Sequence, residues 1–142
     1  MITNKIQTAP AARRDTGLSL RRGWCAKCPN CGKGSMFSSF LKVADRCGTC
    51  GEELHHHRAD DAPPYFTILV VGHVIVAGIL YVEQTWQPEP WVHSAIWMPL
   101  TIVLSLLLLP RFKGALIGLQ WAQRMHGFGG PDPNDPAPAP ER

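Results

Sequence analysis

Apolar residues gather in one part of the chain, residues 65–110, and the segments on either side are polar. Residues 65–82 run for 18 positions without a formal charge. As a helix rising ~1.5 Å per residue they cover ~27 Å, close to the hydrocarbon thickness of a bilayer. Residues 91–110 form a second run that covers ~30 Å by the same arithmetic. Tyr65, Tyr81, Trp86, Trp91 and Trp97 stand toward the ends of these runs, where interfacial aromatics collect. The connection over residues 83–90 is short, which makes the two helices antiparallel neighbours. Too little chain remains to cover two such helices, which disfavours a buried pair in a soluble protein. The pattern predicts a two-helix transmembrane hairpin over residues 60–110.

Charge gives the hairpin a direction. No Lys or Arg occurs between Tyr65 and Pro110, and the connecting loop carries Glu83 and Glu89. Basic residues lie on the other side, from Arg21, Arg22 and Lys27 before the runs to Arg111, Lys113 and Arg124 after them. The positive-inside rule therefore puts both termini of this multi-pass protein in the cytoplasm. The first twenty residues lack the apolar stretch of a signal peptide, so residues 1–20 are expected to be a disordered cytoplasmic leader. The formal charge of +3 is too small to argue for nucleic acid. Asp60 and Asp61 precede Pro63 and Pro64 where the first run begins. An acidic residue before a proline-containing first turn is a helix-start signal, because a carboxylate caps free N–H groups. The competing reading of the Asp pair is a contact with a partner's basic group or with a cation at the membrane surface.

The soluble part before the hairpin is too small to stabilise itself by burial and needs a staple. All five cysteines lie there, between Cys25 and Cys50. Cys28-Pro29-Asn30-Cys31-Gly32 and Cys47-Gly48-Thr49-Cys50-Gly51 form two C-x-x-C pairs at zinc-ribbon spacing. A two-residue spacer lets both sulfurs of a pair face one ion, and zinc takes four thiolates as a tetrahedron. The glycine after each pair lets the backbone turn tightly. Residues 21–59 are thus expected to be a zinc-ribbon-like module with structural Zn2+ on Cys28, Cys31, Cys47 and Cys50. Cys25 also makes a C-x-x-C with Cys28. It is a spare thiol, a replacement ligand or an inert apolar residue, and the last is favoured. The competing readings of the quartet are redox-active or metal-transferring thiols and an iron–sulfur or other metal site. Met36, Phe37, Phe40, Leu41 and Val43 are expected to pack on the module as a small core. The run His55-His56-His57 is read as solvated or facing lipid headgroups, since consecutive side chains do not all point one way.

His73 falls near the bilayer middle, where an ionisable group is costly and marks a protein contact. Its readings are a neutral imidazole bonded to a neighbouring helix, or a contact in haem or copper handling. His93 lies ~10 Å away in depth, so a metal shared by the two is strained. Met98 and Pro99 are read as packing and a kink. Residues 111–128 are expected to form a separate C-terminal interfacial helix. Its Gly114, Gly118 and Ala122 make a small-residue stripe for close helix approach, within this chain or with a partner. Residues 129–142 are Pro-, Asp- and Ala-rich and are expected to be a disordered tail. The fold class is an α-helical membrane protein with a small N-terminal metal module.

These features together resemble a known family, the small bacterial twin-CxxC membrane proteins of domain-of-unknown-function family 983. The resemblance rests on the two cysteine motifs, Phe37, Asp60-Asp61-Ala62-Pro63-Pro64-Tyr65, Gly72-His73 and Leu119-Gln120-Trp121. It covers roughly Arg22 to Phe128 and does not require Cys25. It implies a non-enzymatic role. In alphaproteobacteria such proteins are associated with cytochrome c oxidase biogenesis, as assembly factors or accessory subunits bound to the haem-copper oxidase in the inner membrane. On that resemblance the partners are terminal oxidase subunits, with His73, Asp60 and Asp61 as contact candidates. No nucleophile–base set or phosphate loop argues for an enzyme. A membrane-anchored thiol redox or metal-delivery factor is the alternative. A membrane-tethered transcription regulator is weaker, because no groove-reading helix is recognisable.

Overall fold

The computed structural model describes residues 13–58 and 61–129. In chain order it has α1 (Thr16–Trp24), β1 (Phe37–Ser39), β2 (Lys42–Val43), α2 (Ala62–Trp86), α3 (Pro90–Ala122) and a 3-10 turn at Met125–Gly127.

Residues 16–20, expected within a disordered leader, belong to α1, and residues 1–12 of that expected leader lie outside the described residues. Asp15 starts this helix with a carboxylate oxygen that accepts the Leu18 N–H at 3.0 Å, and Arg21 and Arg22 suit its last turn. What holds so short a helix is its seat on α3. Gly23 of α1 meets Gly114, and Ser19 meets Gly118, backbone against backbone. A helix of this length is marginal alone and persists through such packing.

Helix α2 opens as predicted at Pro63 and Pro64, but Asp61 makes no capping hydrogen bond. A cap accepts the N–H of the second or third helical residue. Both of those residues are proline here, so no donor exists. Asp60 lies outside the described residues. On α2, Pro63, Thr67, Val71 and Ile75 are buried at intervals of four, which defines one face turned to α3. Higher up, Gly78 leaves room for the Trp97 ring, which a Cβ at that position would strike.

The second correction concerns α3. It is one helix of 33 residues that passes through Pro99 and Pro110, so residues 111–122 continue it instead of forming a separate interfacial helix. Each proline removes one N–H and fixes a φ that is already helical. Beyond Pro110, buried Gly114, Ile117, Gly118 and Trp121 reward continuation. Helices α2 and α3 are long and apolar enough to cross a membrane. Their most apolar windows are 11% and 0% buried within the chain, so their outer surface is left uncovered by it.

The cysteine-bearing head sits on the far half of α3. β1 and β2 pair antiparallel, Phe37 opposite Val43 and Ser39 opposite Lys42, with Leu41 at φ 61° in the turn. Cys28, Met36, Val43, Cys47 and Leu54 of the head form one core with Ile117, Trp121 and Phe128. Met36, Leu54 and Ile117 are fully buried, each worth ~1.5–3 kcal/mol by area. Of the residues expected to line this core, Phe40 instead lies 59% exposed at the hairpin tip. Polar bonds lock the head to α3. Gln120 donates to the Arg58 carbonyl at 2.9 Å and accepts the Arg58 N–H at 3.1 Å. Trp121 Nε1 donates to Glu52 at 2.7 Å, and Lys113 Nζ donates to the Leu41 carbonyl at 2.8 Å.

Candidate metal centre

Two tight turns bring the cysteines together. In the first, the Gly32 N–H donates to the Cys28 carbonyl at 2.9 Å; in the second, the Gly51 N–H donates to the Cys47 carbonyl at 2.9 Å. Both glycines have positive φ, 69° and 75°, a conformation that favours glycine. Short antiparallel bridges, Lys27 with Ser35 and Arg46 with Glu53, hold each turn against the strand that follows or precedes it. The two turns face each other, so the sulfurs of Cys28, Cys31, Cys47 and Cys50 all lie within 4.8 Å of one another. Cys25 is exposed and outside this set, so the four sulfurs that gather are those of the later C-x-x-C register.

The spacing fits a single tetrahedral ion. With metal–sulfur bonds of ~2.3 Å, the edge of a four-thiolate tetrahedron is ~3.8 Å. Cys28 Sγ lies 3.7 Å from Cys50 Sγ, and Cys31 Sγ lies 3.8 Å from Cys47 Sγ. A side chain at Gly34 would strike Cys47 Sγ, so glycine there preserves the cradle. The backbone N–H groups of Lys33 and Gly34 point at Cys31 Sγ, each at 3.5 Å, the arrangement that stabilises a thiolate bound to metal. Asn30 Nδ2 lies 3.9 Å from Cys50 Sγ and donates to Glu52 at 3.0 Å.

The four thiols are electrostatically unequal. The Gly34 and Lys33 N–H groups lower Cys31 to about 6. Burial raises Cys28 far above its ordinary value. Burial also pushes Cys47 upward, but the N–H groups of Cys50 and Thr49 outweigh it and leave that thiol lowered. Desolvation, followed by the neighbouring Cys31 and Cys47, raises Cys50. A divalent cation that binds such a cluster takes the place of the thiol protons. A tetrahedral ion held by all four sulfurs would have no further position open.

The other candidates are dispersed. His73 lies exposed on α2, and its Nδ1 is bonded to the Leu69 carbonyl of its own helix at 2.7 Å. That carbonyl can only accept, so Nδ1 is the donor in this bond. His93 is tied elsewhere, with Nε2 3.0 Å from Glu83 and Nδ1 accepting the Trp97 Nε1–H at 3.1 Å. Of the histidine run, His57 turns to the Leu54 carbonyl at 3.0 Å and His56 to Glu53 at 3.3 Å.

Several residues that build the site carried no sequence signal. Arg14 spans the head, donating to the Trp121 and Phe128 carbonyls at 2.7 and 3.0 Å with its guanidinium 4.1 Å from the Trp121 ring centre. Burial, then the nearby Arg124, lowers its pKa, while Glu52 opposes that shift. Arg22 binds the Pro29 and Asn30 carbonyls at 2.9 and 2.7 Å and so braces the first cysteine turn.

A family model described as "Protein of unknown function (DUF983)" matches residues 37–121. The match takes in the second cysteine pair, both long helices and Trp121, and begins after the first pair. No curated protein and no solved structure matches the chain.

Proposed function

The chain belongs to the DUF983 family of proteins of unknown function, and from that premise we propose that it is a non-enzymatic assembly factor or accessory subunit of a haem-copper terminal oxidase. Its head is a zinc ribbon in which Zn2+ on Cys28, Cys31, Cys47 and Cys50 serves structure. The hairpin lies in the bacterial inner membrane with both termini cytoplasmic, in keeping with the basic head and the acidic loop. The observation that carries the reading is a closed four-sulfur site rigidly joined to two apolar helices whose outer surfaces the chain leaves open. Such a molecule offers docking surfaces and no reaction centre. His73, exposed on α2, is the contact with an oxidase helix, and Asp60 and Asp61 are further contact residues in this proposal.

The test is a mild-detergent pull-down of tagged protein from native membranes, with mass spectrometry and haem spectra of the eluate. It is paired with oxidase levels in a strain carrying serine at all four cysteines. Oxidase subunits in the parent eluate and lowered oxidase in the variant strain are expected. A parent eluate without oxidase, or normal oxidase in the variant strain, overturns the proposal.

A second reading, a thiol redox or metal-delivery factor, draws on the exposed Cys50 and the lowered thiol of Cys31. It requires rapid alkylation of the folded, metal-loaded protein, whereas the structural reading requires protection.

A further inference from the structure

The turn that follows the second cysteine pair gathers a different set of donors. One ligand atom each from Glu53, His55 and His56 lies within 4.8 Å of the others. We infer that Glu53, His55 and His56 form a second, exchangeable site for a divalent transition-metal ion of the zinc, nickel and cobalt class. Two imidazoles and one carboxylate suit such ions, as four thiolates suit the first site. Three protein ligands leave at least one coordination position open, which makes this site accessible where the cysteine site is closed.

The donors are held by the fold. Glu53 is bridged to Arg46 in the strand-like pairing beside the second cysteine turn. Arg46 Nη2 lies 2.7 Å from Glu53 Oε1, and His56 Nε2 lies 3.3 Å from the other oxygen, Oε2. The arginine therefore occupies one oxygen and leaves the second for an ion. Leu54, fully buried, pins the turn between them. His56 is half-buried and packs edge-on to Phe128 at 5.8 Å, which fixes its ring. His55 is exposed, with its ring 4.0 Å from that of His56, so it closes the site from the solvent side. His57 is not among the donors that come within this distance; its ring turns instead to the Leu54 carbonyl. The metal takes the place of the contact between His56 and Glu53, and water fills the open position.

This inference stands apart from the oxidase reading and needs only the folded head. The test titrates Co2+ into full-length protein in detergent whose cysteine site has first been filled with zinc. Calorimetry gives the stoichiometry and the visible spectrum reports the ligands. One Co2+ per chain is expected, chelator-reversible, with ligand-field bands and no thiolate charge-transfer band. The H55A variant, altered at an exposed position that leaves the core intact, loses this binding, as does E53Q. The H57A variant retains it, which separates a built site from the general affinity of a histidine run. No binding beyond the cysteine site, a thiolate band, or equal losses in H57A and H55A overturns the assignment.

Discussion

Alanine at Gly118 tests whether α1 and α3 meet backbone to backbone. A Cβ there would collide with the Ser19 carbonyl oxygen and stand 3.0 Å from its carbonyl carbon and 3.5 Å from the Leu20 nitrogen. Every obstacle is backbone, so no rotamer change relieves it and the helices must part. Overpacking of a close contact costs ~1–3 kcal/mol, and an immovable backbone puts this site at the upper end. The intrinsic helical gain of alanine over glycine, ~1 kcal/mol, offsets part of that. Gly72 of α2 supplies the control, because a Cβ there meets nothing within 4 Å. Both positions are inside helices, so the propensity gain appears in each variant and cancels in the comparison. G118A should therefore be less stable than G72A by ~3 kcal/mol, or roughly 6–12 °C in melting temperature. Thermal unfolding of the two proteins in one detergent, followed by tryptophan fluorescence, reads the difference. Melting temperatures within roughly 2 °C of each other would refute the close crossing.

Two further predictions concern the head. In protein stripped of metal, Cys31, lowered from 9.0 to about 6, is the thiol that ionises first. A depressed thiol stabilises the fold fully above its unfolded value and loses that contribution as pH falls through the folded one, here the window from 9.0 down to about 6. Alkylation of stripped protein, resolved by site with mass spectrometry, should label Cys31 ahead of Cys28 at neutral pH and slow as the pH drops through that window; equal rates would contradict the assigned environments. Replacing Trp121 with Phe keeps an aromatic ring but removes the N–H that Glu52 accepts at 2.7 Å. A hydrogen bond to a charged group is worth ~1.5–3 kcal/mol, so W121F should lower the urea stability of the head by about that much. An unchanged midpoint would show that water replaces the indole at no cost.

Periodicity and spacing made the long elements legible before any coordinates. The 65–82 run carries no charge, and nothing but an apolar helix accommodates it at that length. The cysteine cluster was legible because the two-residue spacer and the following glycine are local requirements, met at Gly32 and Gly51 within the motif itself. What escaped was non-local. Arg14 reaches Trp121 and Phe128 across 107 and 114 positions, and Gln120 reaches Arg58 across 62, contacts that no window along the chain contains. Pro110 looks like a boundary because its local cost is plain, while the compensating burial of Ile117 and Trp121 depends on a head folded from distant residues. Asp61 shows the converse failure. The capping signal was present, but Pro63 and Pro64 had removed the donors it serves. The histidine run was read by alternation as a scattered surface feature, and only the turn over Leu54 brings His55 and His56 to Glu53.

The continuity of α3 through Pro110 makes it a lever. At ~1.5 Å per residue its 33 residues measure ~50 Å from the Pro90 loop to Ala122. The head grips the final third through Gly114, Gly118, Gln120 and Trp121 and must swing with it. A change in tilt of ~10°, within the range that bilayer thickness imposes on spanning helices, displaces the far end by ~8 Å. The cysteine-bearing head is thereby a pointer whose reading follows the angle of a single rod, and anything that re-angles the rod moves the pointer without touching it.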